Sequence, residues 1–258
     1  MFNDIVIGPI TIHMYGVMIA AGFLAALLMT LRRGKKRGYD EDIIWGIFFC
    51  AIIGGMLGTR ILYYIVEIPE IMKDPSILWD FKNGYVVYGG IIGGILVGWL
   101  YCRIKKLKFL EYFDLMMPSI ALAQGFGRIG CFLAGCCYGK ETAGTLAVIF
   151  KDSDFAPNNV ALIPTQIYSV FLDFAHFLLL LYVAKHKKAD GQVAACYLIF
   201  YSIGRFVIEF FRGDIERGSV GVLSTSQFIS IFTTVAGRYW QPLQGTYLPR
   251  LKSSHHKK

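Results

Sequence analysis

Charge is what this sequence has least of. Only 17% of its 258 residues are Asp, Glu, Lys or Arg, and 55% are hydrophobic, whereas a soluble domain carries roughly a quarter charged residues. That shortage excludes an ordinary soluble domain and points to the membrane. A small-residue cleavage site is missing after the first apolar run, which is too long for a signal-peptide core and is expected to stay as a helix. A secreted disulfide scaffold is excluded as well. Of the six cysteines, Cys50, Cys102 and Cys196 sit singly in or at the ends of apolar runs. No solenoid-period repeat and no low-complexity linker is present, so a single membrane domain is expected over 1–237, followed by a basic tail over 238–258. The net charge of +8 does not imply a nucleic-acid partner, because the basic excess is confined to alternate loops.

What is there is long apolar runs. A span needs about 20 largely apolar residues, and seven stretches supply them: 12–31, 43–66, 85–102, 115–137, 163–184, 193–211 and 220–237. Basic residues between them alternate. None precedes Thr11, then come five in RRGKKRGYDED, two (Lys73, Lys82), four (Arg103, Lys105, Lys106, Lys108), two (Lys140, Lys151), three (Lys185, Lys187, Lys188) and two (Arg212, Arg217), and the tail ends PRLKSSHHKK. Basic-rich loops stay in the cytoplasm. The expected fold is therefore an all-α integral membrane protein with seven transmembrane helices, N-terminus outside and C-terminus cytoplasmic.

This orientation sorts the polar residues by depth. Arg60, Arg128, Arg205 and Glu209 fall late in spans that run outward, while His13, Tyr15, Tyr85, Tyr88, Gln166, Tyr168 and Gln227 fall early in spans that run inward. All are expected at similar depth toward the outer leaflet, whereas the inner halves are nearly pure aliphatic, Phe, Gly and Ala. A lone arginine at that depth is explained as well by snorkelling to the headgroups as by function. Three, with Glu209 as the one evident counter-charge, describe a cationic pocket. Guanidinium forks clasp phosphate through paired hydrogen bonds, and the abundant anion at that depth is a phospholipid phosphate. Tyr201, Arg205, Glu209 and Arg212 are spaced four, four and three apart, which predicts one helical stripe.

Two further patterns stand out. Gly54, Gly55 and Gly58, and Gly89, Gly90, Gly93, Gly94 and Gly98, read as small-residue faces for close helix packing. In GFGRIGCFLAGCCYG, Gly135 and Gly139 are expected to break the fourth span near its outer end, as backbone lining a cavity is allowed to do. Cys131, Cys136 and Cys137 have a CxxxxCC spacing that fits no familiar zinc framework, with no histidine nearby, so no metal and no cofactor is expected. They read first as small packing residues; a disulfide, or a reactive thiol beside Arg128, stays open. His13 is the one histidine on the outer side and the ready candidate for a base of near-neutral pKa.

GRIGCFLAGCCYG, together with IHMYG, GTRILY, YVVYGG, PTQIY and GRFVIEFFR followed by SQFISI, resembles the prolipoprotein diacylglyceryl transferase family, in order, from about Gly8 to Gly237. The resemblance implies a multi-pass protein of the bacterial cytoplasmic membrane that moves a diacylglyceryl group from phosphatidylglycerol to the thiol of a lipobox cysteine in a pre-lipoprotein, releasing glycerol phosphate. Arg128 falls on the signature arginine associated with the lipid and Gly139 on the closing glycine; Tyr15, Tyr201, Arg205 and Glu209 fall on other family positions. The chain departs from the pattern at Cys131, Ala134 and Cys136, where the family has Asn, Asn and Glu, and at Tyr88, where it has His. It also reads Ile163, Pro164, Thr165, Gln166 in place of His-Pro-Ser-Gln.

Taken together, Arg128 and Arg205, with Arg60 or Arg212, are expected to bind the phosphate diester of phosphatidylglycerol or a similar anionic phospholipid. Tyr15, Tyr201 and Gln166 orient the headgroup, and Gly139 shapes the turn beside it. Deprotonation of the acceptor thiol falls to His13 or Glu209, with Tyr88 a hydrogen-bonding partner for the thiolate. A divergent paralogue for another lipid or acceptor, or a non-catalytic lipid binder or carrier, is the alternative.

Overall fold

The computed structural model describes residues 4–7, 10–80, 84–214, 219–220 and 223–247. Among these residues seven long helices dominate: α1 (Met14–Lys35), α2 (Glu41–Val66), α4 (Val87–Ile104), α5 (Phe109–Ala134), α6 (Thr165–His186), α7 (Gln192–Glu209) and α8 (Thr225–Tyr247). A four-residue helix α3 (Ile68–Ile71) and a 3₁₀ turn (Pro75–Trp79) lie between α2 and α4. The helical class is as expected. α1, α2, α4, α6 and α7 are each long and apolar enough to cross a membrane; α5 carries Glu111, Asp114 and Arg128 along its length.

Strands were not expected, yet among the described residues there are three short antiparallel hairpins: β1 (Asp4–Ile7) with β2 (Ile10–His13), β3 (Val148–Ile149) with β4 (Ala161–Leu162), and β5 (Ser219–Val220) with β6 (Leu223–Ser224). Each is too short to register as a period-2 pattern in the sequence. His13 is the last residue of β2, opposite Asp4, and helix α1 begins one residue later. The tail beyond Tyr247, with Lys82 and Arg217 of the predicted loops, lies outside the described residues.

The helices fall into two compact units, one of residues Thr30–Tyr112 and one of Met1–Met29 with Phe113–Lys258. In the first unit, Asp40 caps α2, its side chain accepting from the Asp42 N–H at 2.9 Å, and Glu41 and Asp42 place negative charge at the helix's positive end. The glycine faces then do what their spacing predicts. A Cβ on Gly58 would lie 2.2 Å from the Gly89 carbonyl oxygen, and one on Gly93 would lie 2.2 Å from that of Gly54, so α2 and α4 touch backbone to backbone.

In the second unit, Met117, Ala121, Leu180, Ala184, Val193, Ala194 and Cys196 form one buried cluster among α5, α6 and α7. Asp114, 1% exposed, anchors it. Its carboxylate accepts from the Gly191 and Ala194 N–H groups at 2.8 and 3.0 Å, and from Lys187 Nζ at 3.0 Å. An anion thus sits on the N-terminus of α7, where unpaired N–H groups and the helix dipole favour it. A smaller cluster of Phe150, Ala156 and Leu162, packed by Phe132 and Tyr138, organises the segment between α5 and α6. That segment showed little pattern because its core comes from residues scattered along it.

Candidate functional site

Where α5 ends, the chain turns back on itself. Gly135 (φ +73°) and Cys137 (φ +64°) both take the left-handed conformation. Two other segments pin this turn. Thr165 Oγ1 donates to the Cys137 carbonyl at 2.8 Å and Gln166 Nε2 to that of Cys136 at 2.9 Å. Gly139 donates to the Ile163 carbonyl, Lys140 to that of Phe211, and Gly213 to that of Tyr138. Gly139 has no room for a side chain, since a Cβ would lie 2.5 Å from the Ile163 oxygen and 2.9 Å from that of Phe211. The predicted helix break is confirmed, and its freed backbone groups are used by the protein.

The predicted stripe on α7 is shorter than expected. The helix closes at Glu209, and Arg212 lies beyond it in an isolated bridge to Gly139. The i+3 spacing from Glu209 to Arg212 had assumed that the helix continued. There Arg212, 8% exposed, clasps Asp214 through Nε at 2.8 Å and through Nη2, and also hydrogen-bonds the Cys137 sulfur. Burial works against its charge, but Asp214 and Cys137 outweigh that, so Arg212 holds its proton more tightly than a free guanidinium.

Arg128 from α5 and Arg205 from α7 line one pocket of about 290 Å³, shared with Ser169, Asp173 and His176 from α6 and Tyr201 from α7. Leu172, Leu179, Phe200, Ile203 and Ile208 form its apolar wall. Arg128 Nε is 3.9 Å from Asp173 Oδ2, a long contact. Arg205 Nη2 is 2.7 Å from Glu209 and 3.0 Å from Ser226 Oγ, while its buried Nη1 has no hydrogen-bond partner among the described residues. Tyr201 stacks on Tyr197 at 5.7 Å, and Tyr197 on His176 at 5.1 Å.

The expectation of an uncompensated cationic pocket with Glu209 as its one counter-charge is therefore corrected. Arg128, Arg205 and Arg212 each face a carboxylate, of Asp173, Glu209 and Asp214 respectively. Asp173 was missed because a single acid inside the apolar run QIYSVFLDFAHFLLLL does not disturb a hydropathy average. A 3.9 Å contact leaves most guanidinium donors of Arg128 to a ligand, while the carboxylate still positions the side chain.

The other expected residues distribute as follows. His13 is exposed and does not line the pocket. Tyr15, 44% exposed, lies on α1 with its ring against Gly130 and within electrostatic range of Arg128 and the three clustered cysteines. Gln166, 1% exposed, supports the turn, and its Oε1 has no partner among the described residues. Gln227 serves its own helix. Its Oε1 accepts from the Ser224 N–H at 3.1 Å and its N–H donates to Ser224 Oγ at 3.2 Å, a reciprocal cap on α8.

Arg60 and Tyr88 belong to the other unit. Arg60, 9% exposed, donates to the carbonyls of Gly84 (3.2 Å), Ile77 and Leu78 (3.4 Å each) and Asp80 (2.6 Å), and to Tyr64 Oη at 2.8 Å. Tyr64 and Tyr85 rings stand 4.7 and 5.7 Å from its guanidinium carbon. Its donors organise the chain between α2 and α4. Tyr88 stands in the first turn of α4, 43% exposed.

Cys131, Cys136 and Cys137 are brought together, their sulfur atoms all within 4.8 Å of one another. Among the described residues they are the one cluster of potential metal-ligand atoms.

A family model for prolipoprotein diacylglyceryl transferase matches residues 4–241. The chain belongs to the prolipoprotein diacylglyceryl transferase family. Similar proteins include the phosphatidylglycerol–prolipoprotein diacylglyceryl transferase of Clostridium tetani, 52% identical over 88% of this chain and 90% of that protein. A second, named phosphatidylglycerol–prolipoprotein diacylglyceryl transferase 2 from Clostridium perfringens, is 51% identical over 90% and 92%. The transferase of Staphylococcus carnosus is 34% identical over 90% and 86%. In this member of the diacylglyceryl transferase family, Arg128 lines the pocket shared with Arg205.

Proposed function

We propose that this chain transfers the diacylglyceryl group of phosphatidylglycerol to the lipobox cysteine thiol of pre-lipoproteins, as a seven-span protein of the bacterial cytoplasmic membrane with its N-terminus outside. The observation that carries the reading is the pocket itself. Two guanidinium groups from different helices meet there over an apolar wall, a combination matched to a phosphate diester with attached acyl chains.

In the mechanism, Arg128 and the Nη1 donors of Arg205 bind the phosphate and stabilise the negative charge that grows on it. Asp173 and Glu209 aim the two guanidiniums. Tyr201 hydrogen-bonds the headgroup, and Tyr15 and Gln166 bound the approach beside the cysteine turn. Arg60 contributes by shaping the segment between α2 and α4, and Arg212 by fixing the turn at Gly139. The acceptor sulfur attacks the terminal glycerol carbon, the C–O bond to phosphate breaks, and its electron pair leaves with glycerol phosphate. Only the thiolate is competent; His13 or Glu209 takes the proton.

The test is transfer of labelled diacylglyceryl from phosphatidylglycerol to a lipobox peptide by the purified protein. Arg128→Ala and Arg205→Ala are each expected to slow transfer by about 100-fold or more, the scale of losing a donor to developing charge. Undiminished transfer in either variant overturns the phosphate-clamp mechanism. Binding of phosphatidylglycerol without release of glycerol phosphate indicates a lipid carrier instead.

A further inference from the structure

The sulfur cluster is the feature that the phosphate clamp leaves unused. Cys131 sits in the last turn of α5, and Cys136 and Cys137 follow on the turn. Simple packing is a poor account of Cys137, which holds a left-handed backbone that costs a non-glycine residue on the order of 1 kcal/mol or more. A disulfide uses two sulfurs and strands the third. Metal ligation uses all three.

We infer that Cys131, Cys136 and Cys137 bind one zinc ion as thiolates and leave its fourth position to the cysteine sulfur of the acceptor. The inference rests on the transferase reading for the identity of that sulfur. Tetrahedral zinc with bonds of about 2.3 Å sets its sulfurs about 3.8 Å apart; the three atoms already lie within 4.8 Å, so rotamer adjustments close the site. Three protein ligands plus one open position is the catalytic arrangement of zinc, as distinct from a closed structural site. Cys131 is buried, while Cys136 and Cys137 are partly exposed, so one side of the cluster is open to an incoming ligand.

The surroundings fit an anionic centre. Arg212 hydrogen-bonds the Cys137 sulfur, and Arg128 stands within electrostatic range of Cys131 and Cys137, so two guanidinium groups face the cluster. The Cys136 and Cys137 carbonyls are held by Gln166 and Thr165, which fixes both ligands from outside the cluster. Arg128 also lines the pocket assigned to the lipid, so one side chain borders both the pocket and the surroundings of the cluster.

The step balances simply. The three protein thiols release protons to solvent as the metal binds, and the acceptor thiol on coordination gives its own proton to the base already named, His13 or Glu209. The bound thiolate forms the S–C bond, the C–O bond to phosphate breaks toward oxygen, and the neutral thioether, a weaker ligand, leaves the metal.

The experiment uses the reduced, metal-stripped full-length protein in detergent, titrated with Co(II). Expected is one equivalent bound with a sulfur-to-cobalt charge-transfer band, displaced by Zn(II). Adding a lipobox peptide changes the ligand-field bands, and its Cys→Ser counterpart does not. Cys136→Ser is expected to lower Co(II) affinity by more than about 100-fold, beyond the roughly 10–100-fold that outer-shell partners cost. The absence of the charge-transfer band in the wild-type protein overturns the site, whatever the variants do. So does a band that survives in the Cys136→Ser, Cys137→Ser double variant. Spectra blind to the cysteine peptide overturn the acceptor role. Full transfer by the metal-stripped protein overturns zinc catalysis and leaves the transferase reading standing. A peptide-sensitive cobalt site with no lipid transfer upholds the metal centre and sinks that reading.

Discussion

Asp114 shows what one side chain does for this protein. Its carboxylate is fully buried, takes two backbone N–H groups at the start of α7, and holds Lys187. Asp114→Asn removes the charge and keeps the shape. Hydrogen bonds to a charged group are worth about 1.5–3 kcal/mol, so the variant is expected to lose stability on that scale, read as an earlier midpoint in detergent unfolding. Nothing in the sequence marked Asp114, since its partners Gly191 and Ala194 are some eighty residues away (77 and 80 positions). Arg128, Arg205 and Glu209 were legible for the opposite reason: charges inside apolar runs are conspicuous one at a time. Asp173 is as buried as they are, yet its pairing with Arg128 became visible only when α5 and α6 came together. At Arg128 itself the expected contrast is between lysine and alanine. Arg128→Lys keeps the charge but loses the planar fork, so transfer is expected to fall less than in Arg128→Ala without returning to the wild-type rate.

At the scale of elements, apolar run length foretold the long helices to within a few residues at most ends. The predicted stretch 43–66 became Glu41–Val66 and 163–184 became Thr165–His186. The seventh was placed less well, at 220–237 against Thr225–Tyr247, because β5 and β6 occupy its predicted start. Local hydropathy says where a helix lies and little about where the chain leaves it; the reversal through Gly135 and Cys137 depends on a conformation that cysteine rarely takes. The helix contact between α2 and α4 was readable, and it makes a paired prediction. Gly58→Ala forces a Cβ against the Gly89 oxygen and is expected to cost about 1–3 kcal/mol, the usual price of overpacking. In α1, a Cβ on Gly16 meets nothing within 4 Å. Gly16→Ala is therefore expected to be neutral or to gain up to about 1 kcal/mol in helix propensity. Unfolding midpoints of the two variants separate a packing effect from a general intolerance of substitution in α-helices.

For the whole molecule, the alternation of basic loops makes a topology claim that reporter fusions check. A fluorescent protein fused after Tyr247 is expected to mature in the cytoplasm, and an export-dependent phosphatase fused there is expected to stay inactive. A fusion placed in the segment between α5 and α6 gives the reverse result. The pinned turn has a further consequence for how the protein is made. Residues 135–140 are closed by chain emerging from the ribosome only after α6 has begun, and again only after α7 is complete. Until then the turn that carries Cys136 and Cys137 lacks these backbone hydrogen bonds. Nascent chains stalled ahead of Phe211 are expected to be alkylated at Cys136 and Cys137 faster than chains stalled beyond Gly213. Biogenesis thus contains an interval of thiol vulnerability, which ends when the second of the two segments docks.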